Sequence, residues 1–141
     1  MKISPKGAER QLNINEEYNL WLQHTADNQE LHQELVAMQN NKAQIEDAFY
    51  CELVFGTAGL RGVMGAGTNR MNIYTVGAAT QGLSNYLNLC FKDRDEISVV
   101  VGHDCRNNSR LFAETAANIF SANGIKVYLF EDIRPTPEMS F

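Results

Sequence analysis

A strand–helix–strand pattern between residues 97 and 130 constrains the fold more than any other feature of this sequence. Ile97–Val101 is nearly all apolar, as a strand covered on both faces would be. A helical stretch follows, and Ile125–Phe130 is the second apolar strand. Parallel strands joined in this way cross over right-handed, and ligands gather at their carboxyl ends. We therefore expect a site in the loops 102–109 and 131–137.

Caps and apolar spacing predict the helices of this half. Asn107 or Asn108 can cap the helix between the strands, and Asn123-Gly124 supplies its left-handed exit. Thr75 is a plausible cap for an earlier helix. The residues expected on buried faces are Phe112, Ala116, Ile119 and Phe120 of the connecting helix and Val76, Ala79, Leu83 and Leu87 of the earlier one.

The last residues predict the start of another helix, with Thr136 as its cap and Pro137 at the first helical position. The sequence stops at Phe141, which leaves a helix too short to bury a face of its own. This pattern predicts that the chain is a piece of a longer protein.

The first part of the chain is polar and predicts a helical extension. Residues 13–52 lack Gly and Pro, and Tyr18, Trp21 and Leu22 mark a short helix. Further apolar residues at helical spacing follow, namely Leu31, Leu35 and Met38, then Ile45 and Phe49. We expect the apolar face to pack against the parent fold, and a docking or dimer surface stays open as an alternative.

Composition limits the classes of partner. The net charge is −5, so no basic face is available for nucleic acid or an anionic membrane. No segment approaches the roughly 20 apolar residues of a membrane span. Three widely spaced cysteines and no signal peptide favour a reducing, cytoplasmic setting.

Residues 55–70 form a glycine-rich segment that suggests close contact with a ligand. Gly62 and Gly67 have the spacing of a nucleotide-binding P-loop, but Thr68-Asn69 stand where Lys-Ser/Thr is needed, so that hypothesis fails. Gly65-Ala66-Gly67 begins a dinucleotide fingerprint that Arg70 interrupts. What remains is Thr57 and Arg61, whose hydroxyl and guanidinium, with backbone N–H groups, could hold a phosphate. A structural turn whose arginine caps a carboxylate is the open alternative.

His103, Asp104, Cys105 and Arg106 share the loop after the first strand. His103 and Cys105 suggest a metal or a thiol nucleophile, but no third ligand lies nearby in sequence, and we expect no metal site in this chain. Asp104 and Arg106 are expected to hydrogen-bond the loop backbone. Ser140, within the last predicted helix, is expected to be an ordinary helical residue.

Three motifs in order carry a family resemblance: Phe55-Gly-Thr-Ala-Gly-Leu-Arg-Gly62, Val101-Gly-His-Asp-Cys-Arg106 and Arg134-Pro-Thr-Pro137. Together they resemble the α-D-phosphohexomutase superfamily of phosphoglucomutases and phosphomannomutases. The stretch from Ile45 to Asn72 is similar to the long-chain branch, which includes phosphopentomutases.

The resemblance implies an α/β first domain, a mixed β-sheet sandwiched between helices, at residues 53–141, with a helical N-terminal extension at residues 1–52. It implies a four-domain mutase that transfers a phosphoryl group within a sugar phosphate through a phosphoserine and a sugar bisphosphate intermediate. The catalytic serine segment would begin beyond Phe141. The Mg²⁺ ligands and the sugar-phosphate contacts would lie in later domains, so this chain alone is expected to be inactive.

The resemblance also suggests roles for residues present here. Arg61 and Thr57 match family positions that stabilise the transferred phosphoryl group and bind phosphate. Asp104 and Arg106 match the loop supports, whereas His103 stands where the family most often has arginine. A stand-alone α/β module that binds an anion without catalysis is the alternative function.

Overall fold

The computed structural model describes residues 14–57 and 59–140, and the chain divides into two compact units at the Met71–Asn72 junction. Part of the expected extension, residues 1–13, lies outside the described residues. The expected boundary between residues 52 and 53 stays a prediction.

The described part of the first unit begins with three helices, α1 Ile14–His24, α2 Gln29–Met38 and α3 Lys42–Phe49. Asn28 and Asn41 cap α2 and α3 by accepting hydrogen bonds from the backbone N–H groups of Leu31 and Gln44. The apolar faces meet in a shared core, so the predicted stripes are confirmed; the buried side chains include Tyr18, Leu31, Leu35, Met38, Ile45 and Phe49. Trp21 packs edge-on against Phe49, with ring centroids 5.6 Å apart.

A short antiparallel hairpin follows, formed by β1 Phe55–Gly56 and β2 Gly59–Leu60. The chain then turns through the glycine-rich segment, and Met64 and Met71 form an isolated parallel bridge. The first unit therefore joins a helical layer to an irregular, glycine-rich segment.

The second unit contains α4 Ile73–Cys90, β3 Ser98–Val101, α5 Ser109–Ala122, β4 Lys126–Leu129 and α6 Thr136–Ser140. The strands β3 and β4 are parallel, with Val99 opposite Val127 and Val101 opposite Leu129, which confirms the predicted strand–helix–strand unit. Helix α5 packs against both strands and against α4. The chain is thus a mixed α/β protein whose first described elements are helices.

The predicted cap of α4 was wrong by three residues. Asn72 is the cap and accepts hydrogen bonds from the backbone N–H groups of Tyr74 and Thr75. The Thr75 hydroxyl accepts in return from the Asn72 N–H, which completes a capping box. Thr75 therefore supports the cap instead of being it.

The predicted buried face of α4 was also wrong. Its buried residues are Gly77, Thr80 and Ser84, whereas Leu83 is 48% exposed. Ile119 of α5 lies so near that a Cβ on Gly77 would be 3.1 Å from its side chain. Small residues permit this close helix contact, and the hydroxyls of Thr80 and Ser84 donate to carbonyls of their own helix, so their burial leaves no donor unpaired.

Four other expectations about this unit need correction. In α5 the buried positions are Ala113, Ala117 and Phe120, while Phe112, Ala116 and Ile119 are half-buried, so only Phe120 was predicted correctly. Asn108 precedes α5 with a φ of 61° but forms no side-chain cap, and α6 begins at Thr136 itself. Val100 is 55% exposed, because only one face of its strand is covered in the described part of the chain.

Gly124, with a φ of 74°, confirms the left-handed exit from α5.

Candidate functional site

The hairpin of the first unit carries the two residues that the sequence singles out for phosphate binding. Gly56 pairs with Gly59 and Phe55 with Leu60, so Thr57 lies in the turn and Arg61 directly follows the second strand. Gly59 has a φ of 105°, a conformation that glycine adopts without strain. The glycine content of this motif therefore serves a tight reversal of the chain.

Both residues are accessible to a ligand. Thr57 and Arg61 are exposed, and Arg61 forms no ion pair with any carboxylate among the described residues. The alternative in which Arg61 caps a carboxylate thus has no partner in this part of the chain. An exposed guanidinium and an exposed hydroxyl are each chemically suited to an anion, and the binding role of the two residues stays a prediction.

The base of the hairpin is tied to the segment that returns from it. The N–H of Leu53 donates to the Thr68 carbonyl at 3.1 Å, and the Thr68 hydroxyl donates to the Cys51 carbonyl at 2.8 Å. The N–H of Met71 donates to the Val63 carbonyl at 2.8 Å. These bonds close the glycine-rich segment into a loop, and they hold the residues on either side of the hairpin in place.

The same loop is anchored to the helices. The N–H of Ala66 donates to the Glu34 carboxylate of α2 at 2.7 Å, and the N–H of Asn69 donates to the Ala48 carbonyl of α3 at 3.0 Å. Arg70 forms an ion pair with Asp47 of α3. Sequence reasoning did not find Glu34, because 32 residues separate it from Ala66 and no local pattern links them.

The loop between β3 and α5 holds the second set of predicted residues. The Asp104 carboxylate accepts from the Arg106 backbone N–H at 3.0 Å and from the Arg106 guanidinium at 2.7 Å. The Asp104 N–H in turn donates to the Ser109 hydroxyl at 3.1 Å. The pKa of Asp104 lies below its ordinary value, mainly because the Arg106 N–H stabilises the carboxylate, with smaller help from Ser109 and the guanidinium.

His103 lies near the start of this loop and is buried, with 8% of its surface exposed. Its carbonyl accepts from the Arg134 N–H at 3.0 Å, and its Nε2 lies 3.4 Å from the Glu131 carbonyl. Its Nδ1 is buried and has no hydrogen-bond partner among the described residues. His103 lines a cavity of about 190 Å³ at the carboxyl ends of the two strands, with Arg110, Glu114, Leu129, Phe130 and Glu131.

A larger open groove of about 730 Å³ lies at the opposite, amino-terminal ends of β3 and β4. Both acidic and basic side chains line it, including Lys92, Arg94, Asp95, Glu96 and Lys126. Lys126 lies 3.3 Å from Glu96, so part of this charge is already paired. The groove does not lie at the edge where the sequence predicts ligands.

Other candidate chemistry has little geometric support in residues 14–57 and 59–140. The three cysteines are free, and Cys105 is exposed. No group of three His, Cys, Asp or Glu residues in this part is arranged to hold a metal. The Ser140 side chain lies outside what the structure describes. Across these residues, no helix combines the length and apolarity needed to span a membrane.

Two sets of residues thus emerge, one in each unit. Thr57 and Arg61 share the exposed hairpin, and Asp104 and Arg106 share the loop after β3. The first set contains a guanidinium that forms no ion pair within the described residues, together with an exposed hydroxyl. The second set satisfies its own charges, which suits support of a loop more than ligand binding.

Comparison with known proteins agrees with the motif order. Residues 52–141 match the family model described as phosphoglucomutase/phosphomannomutase, alpha/beta/alpha domain I. A phosphopentomutase of Homo sapiens is 42% identical over 109 residues, which cover 73% of this chain and 18% of that protein. A phosphoglucomutase of Staphylococcus haemolyticus is 43% identical over 97 residues, covering 68% and 17%. A glucose 1,6-bisphosphate synthase of Mus musculus is 41% identical over 100 residues, covering 67% and 16%.

The chain therefore spans less than a fifth of the length of these relatives. No solved structure matches it significantly.

Proposed function

Because this chain belongs to the phosphoglucomutase/phosphomannomutase family, we propose that it forms the first domain of a phosphosugar mutase. The proposed reaction moves a phosphoryl group within a sugar phosphate, through a phosphoserine and a sugar bisphosphate intermediate. The family match over residues 52–141 carries the proposal, since that range includes the hairpin with Thr57 and Arg61. The relatives named as phosphomutases support the same class of reaction.

In this proposal Arg61 stabilises the charge that develops on the transferring phosphoryl group. A phosphoryl transition state spreads negative charge over three equatorial oxygens, so a fixed cation beside it lowers the barrier. Arg61 is exposed and unpaired with any described carboxylate, which leaves its charge for a ligand. Thr57 adds a hydroxyl donor from the turn of the same hairpin.

Asp104 and Arg106 act as supports in the proposal, not as ligands. Each satisfies the other within the loop, and the Asp104 N–H is bonded to Ser109. Substitution of either should alter the loop without removing a charge that contacts substrate.

The nucleophilic serine, Mg²⁺ and the sugar contacts belong to other parts of the complete enzyme in this proposal. The described residues hold no cluster suited to a metal, so they do not fit a Mg²⁺ centre. We further propose a cytoplasmic enzyme, an assignment that three free cysteines support. Its partner is a sugar phosphate, without nucleic acid or membrane, in keeping with the net charge of −5.

The decisive test is Arg61→Ala in the complete enzyme that carries this chain. We expect turnover of glucose 1-phosphate to glucose 6-phosphate to fall at least about tenfold, as when one charge-stabilising donor is lost. Arg94→Ala is the matched control, since Arg94 is exposed and forms no ion pair within the described residues. Equal turnover in the two variants would remove Arg61 from the mechanism.

The 141-residue chain alone should not convert glucose 1-phosphate. Conversion by the pure chain would contradict the proposal that the nucleophile lies elsewhere. A sugar-phosphate titration followed by amide NMR distinguishes the alternative of an anion-binding module. Saturable shifts in the chain, together with an inactive complete protein, would favour that module.

A further inference from the structure

Ala66 has an unusual hydrogen-bond partner for a loop residue. It is 2% exposed, and its N–H donates to a carboxylate oxygen of Glu34 on α2 at 2.7 Å. This length is typical of a charge-assisted hydrogen bond, which is stronger than one between neutral groups. Without Glu34, a buried backbone donor would lose the partner that the structure gives it.

The backbone on either side of Ala66 allows the carboxylate to approach. Gly65 and Gly67 have φ values of 146° and 127°, a region that residues with side chains rarely adopt. A Cβ on Gly65 would lie 3.1 Å from the nearer Glu34 oxygen. The loop and the carboxylate are therefore fitted closely, and the two glycines are what permit it.

A displacement of the Ala66 backbone would also displace the hairpin, because hydrogen bonds join the loop to both sides of it. Thr68, two residues on, accepts the N–H of Leu53, which immediately precedes the segment leading into β1. On the other side, Val63 accepts the N–H of Met71 and lies two residues after Arg61. Both ends of the segment that carries Thr57 and Arg61 are thus bonded to the loop that Glu34 holds.

We propose that Glu34 is a positioning residue, which holds the glycine-rich loop so that Arg61 and Thr57 are presented in the geometry that binds the phosphoryl group. This inference rests on the proposed function for Arg61. In this proposal Glu34 itself contacts no substrate and acts only through the backbone of Ala66. The helices before the domain then contribute to the reaction, instead of serving only as packing.

The first measurement uses the 141-residue chain and tests the anchor alone. Hydrogen exchange of the Ala66 amide should accelerate by about tenfold or more in Glu34→Ala, the lower range for a hydrogen bond to a charged group. Glu34→Gln keeps an acceptor oxygen and should retain most of the protection. Glu46→Ala is the control, since Glu46 is an exposed glutamate of α3 with no side-chain bond among the described residues. Unchanged exchange in Glu34→Ala would overturn the proposal.

The second measurement uses the complete enzyme. Glu34→Ala should lower kcat/KM by about tenfold per folded molecule, since small misplacements of a catalytic group have large effects on rate. Glu34→Gln should restore most of that loss, and Glu46→Ala should match the wild type. The folded fraction is taken from Trp21 fluorescence of the 141-residue chain carrying the same substitution, where Trp21 is the only tryptophan, so a loss of stability in this part would not be mistaken for a change in rate. A normalised rate in Glu34→Ala equal to that of Glu46→Ala would refute the positioning role.

The two proposals fail in different ways. If Arg61→Ala has no effect on turnover, the proposed function of the hairpin fails, and the role of Glu34 fails with it. If Arg61→Ala lowers turnover while Glu34→Ala does not, only the positioning proposal is overturned.

Discussion

Gly67→Ala is the substitution that most directly tests how the glycine-rich loop is held. Gly67 has a φ of 127°, and an added Cβ would lie 2.5 Å from the Ala48 carbonyl oxygen and 2.9 Å from the Ala48 Cβ. The obstacle is the backbone of α3 and not a flexible side chain. An alanine could therefore be accommodated only if the loop moved away from the helix.

The expected cost has two sources. A non-glycine residue held in this region of φ costs about 1–3 kcal/mol. Overpacking against a fixed neighbour costs a further 1–3 kcal/mol or so. Because the loop can relax and relieve both together, we expect a net loss of about 3 kcal/mol. A unit of this size has a free energy of unfolding of roughly 3–9 kcal/mol, so the loss is a large share of its stability.

Trp21 provides the assay, because it is the only tryptophan of the chain and lies in the first unit, packed on Phe49. Urea unfolding followed by Trp21 fluorescence therefore reports this unit. With a slope of about 1 kcal/mol per molar urea, the midpoint should fall by about 3 M, or the unit should be partly unfolded without urea.

Gly82→Ala is the matched control. Gly82 lies within α4 in the second unit, and an added Cβ would meet nothing within 4 Å. Alanine should stabilise this helix by about 0.5–1 kcal/mol and leave the Trp21 midpoint unchanged. A Trp21 midpoint in Gly67→Ala equal to that of wild type would refute the reasoning, since it would mean that the loop is not packed on α3.

Two further predictions concern the second unit. Asn72→Ala should lower its free energy of unfolding by about 1–2 kcal/mol, measured by far-ultraviolet circular dichroism in urea, because two N–H groups of α4 lose their acceptor. Thr75→Val should cost less, since Asn72 keeps its own cap bonds; an equal or larger cost would contradict the assigned cap. For Asp104, NMR titration of the carboxyl should find a pKa below the ordinary value. Arg106→Gln should raise that pKa only part of the way, because the backbone N–H of residue 106 is the largest cause and remains. The direction of the pH dependence follows from this lowered pKa. Ionised Asp104 stabilises the folded state at pH values above its pKa in the unfolded chain, and this contribution is lost as the pH falls through its lower pKa in the folded chain. A titration at or above the ordinary pKa would refute the assignment.

Local patterns predicted much of the fold. The stripe Leu31, Leu35 and Met38 indicated a buried helical face, because residues three or four apart share a face in any α-helix. Gly124 indicated a left-handed exit, because few other residues adopt that conformation readily. Thr57 and Arg61 stood out because the motif around them is specific, although their role in phosphate binding stays a prediction.

The errors about buried faces share one physical cause, the identity of the packing partner. Periodicity favoured Leu83 as a core residue of α4, but close contact with α5 selects the smaller Gly77, Thr80 and Ser84. Apolarity favoured coverage of Val100 on both sides, but the described chain covers only one face of its strand. In each case the hydrophobic pattern shows that a side chain is apolar enough to be buried. It does not show which neighbouring element is present to cover that side chain.

The sequence by itself thus determined the class of fold, the order of the elements and the family, because local periodicity and ordered motifs encode them. Only the tertiary structure decided that Glu34 holds the N–H of Ala66 and that Gly67 lies against Ala48. These contacts join residues that are far apart in the chain, and they depend on how α2 and α3 pack against the loop. No local spacing specifies such a contact, since it exists only when the chain has folded.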